Sequence, residues 1–313
     1  MDDTVIPGSI LSDVAGQLRA AGCVFAEDEA GLLIAVARDA AGPSGDKAGL
    51  LAEMTARRAG GEPLEHVVGW AEFCGLRIAV DRGVFVPRRR TEFLIAQAAS
   101  LARQELPARE VEAREIAAES MAGESATRSM TAQAGRPAAG RLVVVDLCCG
   151  SGALGAALAA ALGEVSLHAA DADPAAVACA RRNVGPAGGQ VYQGDLFAAL
   201  PARLRGEIDI LLANVPYVPA DEIALLPAEA RDHEPRLALD GGPDGLAVLR
   251  RVTALAAQWL APGGTLLTEV SERQAAAAVL AVAAGGLTAR VLSDEHWGAT
   301  VVTGTRPGGR PRV

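Results

Sequence analysis

After Arg141 the chain alternates short runs of β-branched residues or leucine with longer alanine-rich stretches, and this rhythm constrains the fold more than any other feature. The runs at 142–146, 165–170, 190–193 and 207–213 read as strands, and the alanine-rich segments between them as helices. Further strand-like runs follow at 264–270, 288–292 and 299–304. Strand–helix alternation of this kind builds a mostly parallel sheet with helices packed on both faces. Only DEHWG separates the neighbourhoods of the last two runs, too little for a crossover helix, so one of the seven strands should run antiparallel.

The amino-terminal part has a different texture. Ile10, Leu11, Val14 and Leu18, then Leu32, Leu33 and Val36, then Leu50, Leu51 and Met54 recur at three-to-four spacing between Gly and Pro breaks, which predicts a small helical domain over 1–62. From Trp70 to Val86 alternating and β-branched residues surround Asp81-Arg82-Gly83 and read as a hairpin, after which VPRRRTEFL enters a helix. Residues 63–100 thus form a connecting hairpin and helix. Between Glu105 and Gly140 the apolar rhythm disappears, and a mobile, low-complexity insertion is expected over 101–140 before the α/β domain of 141–313.

Charge and composition remove several classes of function. A formal net charge of −9 lacks the broad basic footprint of a nucleic-acid binder. No apolar run reaches the roughly 18 residues of a membrane span, and MDDTVIPGS carries acids where a secretory signal carries positive charge, so a cytoplasmic protein is expected. The five cysteines and four histidines are scattered without disulfide or metal-ligand spacing, and no metal is expected.

The first strand of the α/β domain runs into a glycine turn, VVVDLCCGSGALG, with the spacing Gly150-x-Gly152-x-x-Gly155. Such a turn accepts either a pyrophosphate or the amino-acid end of S-adenosylmethionine, because missing Cβ atoms let backbone approach the ligand. Asp171, at the end of the second strand, suits the ribose hydroxyls of either. Asp146, just before the turn, favours the cationic methionine end and repels pyrophosphate. Gly194 to Phe197 (GDLF) follow the third strand near where an adenine edge would lie, and ILLANVPYVP ends the fourth with Asn214-Val215-Pro216-Tyr217 at the ligand-binding edge of the sheet.

VDLCCGSGALG, DADPAAVACARRN, GDLF and LLANVPYVP, in this order, resemble S-adenosylmethionine-dependent methyltransferases acting on amide or exocyclic amino nitrogens, whose signature is Asn-Pro-Pro-Tyr. EPLEHVVGWAEFCGLRIAVDRGVFVPRRRTE and EPRLALDGGPDGLAVLRRV resemble the HemK/PrmC branch, protein glutamine-amide methyltransferases that modify the Gly-Gly-Gln loop of class I peptide chain release factors. The resemblance implies a seven-stranded, doubly wound, Rossmann-like class I methyltransferase fold, with the helical amino-terminal domain recognising substrate. It implies S-adenosylmethionine held by Asp146, Cys148, Cys149, Gly150, Ser151, Gly152, Asp171, Ala172, Asp195, Leu196 and Asn214. Asn214, Val215, Pro216 and Tyr217 would carry catalysis, and together with Phe85, Arg88 and Glu234 would bind the substrate. A monomer acting on a release factor is expected. Methylation of a small molecule or adenine amino group is an alternative, because the same acceptors fit any NH2 on a planar system, and a non-catalytic cofactor-binding module is another, because this chain departs from the family pattern. Cys148 stands for the first glycine of the turn, implying ordinary φ there or altered packing. Val215 stands for the first proline of the signature, and Arg89 and Arg90 for a proline and an acid in the element Pro-Arg-Pro-Glu-Thr-Glu.

Overall fold

A computed structural model describes residues 8–40, 46–104 and 141–308. Three helices open the chain: α1 (Gly8–Ala20), α2 (Ala26–Ala40) and α3 (Lys47–Ala59). Val14 and Leu18, Ala30, Leu33 and Ala37, and Met54 recur on one face of each helix and bury against one another. Glu27, Asp28 and Glu29 occupy the positive end of α2, and Asp46 caps α3 by accepting from Gly49 N at 2.8 Å. The short α4 (Leu64–Val68) ends at Gly69, whose φ of 82° lets the chain turn into the hairpin of β1 (Trp70–Phe73) and β2 (Leu76–Ala79).

This hairpin turns at Cys74-Gly75, seven residues before the expected site. Phe73 pairs with Leu76, leaving a two-residue loop with both residues at positive φ, the geometry that matches strand twist. Asp81-Arg82-Gly83 is a separate tight turn, closed by Val84 N donating to Asp81 O at 3.0 Å, and joins no strand pair. A 3-10 turn at Arg89–Thr91 leads into α5 (residues 92–104). That helix takes in the first four residues of the expected insertion, whose remainder, 105–140, lies outside the described residues.

The α/β part follows as β3 (Leu142–Leu147), α6 (Ala153–Leu162), β4 (Val165–Asp171), α7 (Pro174–Val184), β5 (Gln190–Gln193), β6 (Ile208–Ala213), α8 (Ala228–His233), α9 (Arg236–Leu239), α10 (Ala247–Trp259), β7 (Leu260–Val270), α11 (Ala275–Ala284), β8 (Thr288–Asp294) and β9 (Ala299–Thr305). The seven strands lie in the order β5-β4-β3-β6-β7-β9-β8, parallel except β9, which is antiparallel to both its neighbours. Alternate residues feed two cores. Leu142, Val144, Leu167, Ile210 and Leu267 face α5 and α6; Val143, Val145, Leu211 and Leu266 face α10 and α11. This is the class I methyltransferase arrangement. Among the described residues no helix is long and apolar enough to cross a membrane.

Candidate active site

Strand order reverses between β3 and β6, and crevices open at the carboxyl ends of parallel strands at such a switch point. A cleft of about 460 Å³ lies there. Its floor is the turn from β3 into α6, tightened by positive φ at Cys148 (55°), Gly150 (53°) and Gly152 (78°). Cys148 therefore keeps a left-handed conformation, contrary to the ordinary φ expected of a non-glycine residue, at a backbone cost of about 1–2 kcal/mol. A Cβ at Gly150 would meet only Phe85 Cβ, at 3.9 Å, so the space above this glycine is open to a ligand. Gly152 is different: it is absent from the cleft wall, and a Cβ there would lie 2.8 Å from Val184 Cγ2 and 3.1 Å from Ala180 Cβ on α7. Its role is helix packing.

Two carboxylates face the turn. Asp146 is 1% exposed, and its Oδ2 accepts from Gly155 N at 2.9 Å. Burial pushes its pKa up to about 7, against the pull of that N–H. Asp171 accepts from Gly150 N through Oδ2 and from Asp173 N through Oδ1, both at 2.9 Å, so it braces the turn while lining the cleft. Burial raises its pKa as well. Neither is ion-paired with a cation among the described residues, which leaves the cleft floor suited to a positively charged ligand. Ser151 and Ala172 complete this part of the wall, together with Cys149. Burial raises the pKa of both Cys148 and Cys149, holding the thiols neutral. Farther along, Leu196 takes a φ of 49° and lines the cleft, while the Asp195 carboxylate at the rim is ion-paired with Arg251.

The opposite wall comes from the end of β6. Asn214 lines the cleft, and its buried Oδ1 has no hydrogen-bond partner among the described residues. An acceptor left so costs roughly 1–3 kcal/mol, and rotation about χ2 exchanges the oxygen with the amide nitrogen at the same place. Val215 and Pro216 beside it are largely buried and also line the cleft. Tyr217 is held at both ends: its hydroxyl donates to Glu269 Oε1 at 2.9 Å and accepts from Arg90 Nη2, while Gln274 Nε2 donates to its carbonyl at 2.8 Å. Glu269, 2% exposed on β7, also accepts from Arg90 Nε at 2.8 Å and Thr91 Oγ1 at 2.6 Å. It is absent from the residues expected from sequence, although an acid inside the apolar run LLTEV signals a buried, partnered group.

Phe85 lies on the wall with the Arg88 guanidinium 4.9 Å from its ring centre. Glu234, expected to contact substrate, instead sits behind the wall. It accepts from Arg88 Nη2 at 2.6 Å and Val86 N at 3.0 Å, fastening the 85–88 segment to the loop after α8. Burial raises its pKa, with Arg88 opposing. Glu92 accepts from Cys74 N at 3.1 Å and so caps the hairpin turn. Asn183 at the end of α7 ties the hairpin to the glycine turn, donating to both Ala79 O (2.9 Å) and Ser151 O (2.7 Å). The residues present fit S-adenosylmethionine: an open glycine cradle, two carboxylates with no cation partner among the described residues, and Asn214 share one crevice.

The methyltransferase small domain family matches residues 97–228. A release factor glutamine methyltransferase of Mycolicibacterium smegmatis is 37% identical over 227 residues, covering 72% of this chain and 68% of that protein. One from Deinococcus radiodurans is 32% identical over 256 residues, covering 81% and 78%. The 4-amino-L-phenylalanine/4-methylamino-L-phenylalanine methyltransferase of Streptomyces pristinaespiralis is 35% identical over 220 residues, covering 70% and 65%. Together with the strand order and the cleft above the glycine turn, these similarities show that the chain belongs to the release factor glutamine methyltransferase family and is an S-adenosylmethionine-dependent methyltransferase.

Proposed function

We propose that this enzyme methylates the side-chain amide nitrogen of a protein glutamine, in the Gly-Gly-Gln loop of a class I peptide chain release factor. The observation that carries this reading is Asn214 at the end of β6: the residue lines the crevice whose floor is the glycine turn, and its buried Oδ1 has no partner among the described residues, so turning the amide over brings the oxygen to the cleft without breaking a bond. A glutamine nitrogen is a weak nucleophile because its lone pair is delocalised into the carbonyl, so orientation must supply much of the acceleration. With Oδ1 turned toward the cleft, Asn214 accepts one N–H of the target amide and the Val215 carbonyl accepts the other. Tyr217 supplies a flat wall along the amide plane. Bound S-adenosylmethionine supplies an electrophilic methyl group on a sulfonium. Asp146, Cys148, Cys149, Gly150, Ser151, Asp171, Ala172, Asp195 and Leu196 would hold it, with the carboxylates toward its cationic parts. The alkylated nitrogen loses its proton afterwards, so no general base is required on the wall.

Replacing Asn214 with Ala is expected to abolish methyl transfer to release factor while cofactor affinity, measured by calorimetry, stays near wild type. Full turnover in that variant would remove the assignment. A second reading, transfer to a small aromatic amine, draws on the 35% identity to the amino-phenylalanine enzyme and on Val215 in the signature. The same two acceptors suit any planar NH2. Mass spectrometry of release factor and of 4-amino-L-phenylalanine, each incubated with enzyme and labelled cofactor, separates the two.

A further inference from the structure

Glu269 is a buried carboxylate at the carboxyl end of β7, and both its oxygens are used. Oε1 takes the Tyr217 hydroxyl and Arg90 Nε; Oε2 takes Thr91 Oγ1. The parallel register Leu212↔Leu267, carried two residues onward, sets Glu269 level with Asn214. Burying such an acid carries a desolvation cost that well-packed apolar residues would avoid, so stability alone is a poor account of it. Its partners have one thing in common: Arg90, Thr91 and Tyr217 all line the cleft, and they come from two segments far apart in sequence.

We propose that Glu269 is a positioning residue for methyl transfer, clamping the Tyr217 ring and the 89–91 turn together so that the acceptor end of the cleft keeps one shape. Tyr217 has little other freedom. Gln274 holds its carbonyl, and Gly245 presses so closely that a Cβ there would lie 2.2 Å from the same oxygen. The remaining degree of freedom is the ring, whose tip Glu269 and Arg90 fix. Arg90 at a position where the family element carries an acid makes this clamp an ion pair, so its strength depends on the Glu269 charge. The inference rests on the proposed role of Tyr217 as the wall of the acceptor site.

The test is Glu269→Gln, which keeps size and hydrogen-bonding capacity but removes the charge. kcat should fall roughly 10²-fold, as expected for a misplaced acceptor, while cofactor affinity is unchanged. A second readout needs no acceptor. The chain has two tyrosines, so Tyr192→Phe leaves Tyr217 as the only one, and its alkaline ionisation can be followed by ultraviolet difference absorbance. Burial and Glu269 both raise the Tyr217 pKa, against Arg90; removing the Glu269 charge should move the titration to lower pH. In a double-mutant cycle, Tyr217→Phe combined with Glu269→Gln should lose no more activity than the worse single variant. Unchanged turnover, an unmoved tyrosine titration or fully additive losses would each overturn the role. Should Glu269→Gln fail to fold, Tyr217→Phe and Thr91→Val each cut one arm of the same carboxylate. Each must then lower kcat at constant cofactor affinity, and unchanged turnover in either would overturn the proposal. If wild-type enzyme methylates neither release factor nor 4-amino-L-phenylalanine, the glutamine reading falls, while the tyrosine titration still decides whether Glu269 grips Tyr217.

Discussion

Asp146 shows how burial tunes a single acid in the cleft wall. Its pKa rises from an ordinary 3.8 to about 7 because burial disfavours the charged form. Between those values the folded protein binds more protons than the unfolded chain, so the stability contribution is fully present below about pH 3.8 and is lost as pH rises through about 7. Asp146→Asn should remove this loss, giving a ligand-free protein whose chemical-denaturation midpoint falls less between pH 5 and 7.5 than that of wild type, while its cofactor affinity falls below wild type above about pH 7, where the wild-type carboxylate is charged. An unaltered slope in the variant would show that another group titrates. The position of this side chain was legible in sequence, as an acid between a strand and a glycine turn, and the structure shows it bracing that turn through Gly155 N. Glu269 and Glu234 were less so, because each is defined by partners about 150 to 180 residues away that no local pattern can join to it.

At the scale of elements, the contact between α6 and α7 depends on a residue with no side chain. Gly152 begins α6 at a φ of 78°, and a Cβ would press on Val184 and Ala180 of α7. Gly152→Ala should cost about 2–5 kcal/mol, the sum of left-handed strain and overpacking, and lower the thermal midpoint without lining or blocking the cleft. Differential scanning calorimetry checks it; a loss below about 1 kcal/mol would mean that α7 yields freely. The central strands β3 and β6 were readable from their apolar runs because two-sided burial leaves so few polar residues in them. The hairpin was misplaced because Asp81-Arg82-Gly83 has the stronger turn composition, whereas Cys74-Gly75 asks a cysteine to adopt a φ of 51°. Tertiary pairing overrode local preference there.

Across the whole molecule, Arg58 joins the helical unit to the cleft. It is 7% exposed and donates to both oxygens of Glu29 on α2, at 2.6 and 3.1 Å, and to Glu229 on α8 at 2.6 Å. Arg58→Met should strand the Glu29 carboxylate in a buried setting and destabilise the protein by about 3–5 kcal/mol, read as a lower urea midpoint. A change within about 0.5 kcal/mol would mean that water reaches Glu29 once the guanidinium is gone. This junction was invisible in sequence, where Arg58 is one more charge on an amphipathic helix.

The reversed strand has a consequence for how such a molecule is made. Although β9 follows β7 and β8 in the chain, it lies between them, with Val301 paired to Glu269. During translation the two older strands must therefore wait, their facing edges unsatisfied, until the younger one slots in. A ribosome that stalls before Ala299 would leave a chain carrying the glycine turn and residues 214–217 but a sticky, unfinished sheet beside Glu269.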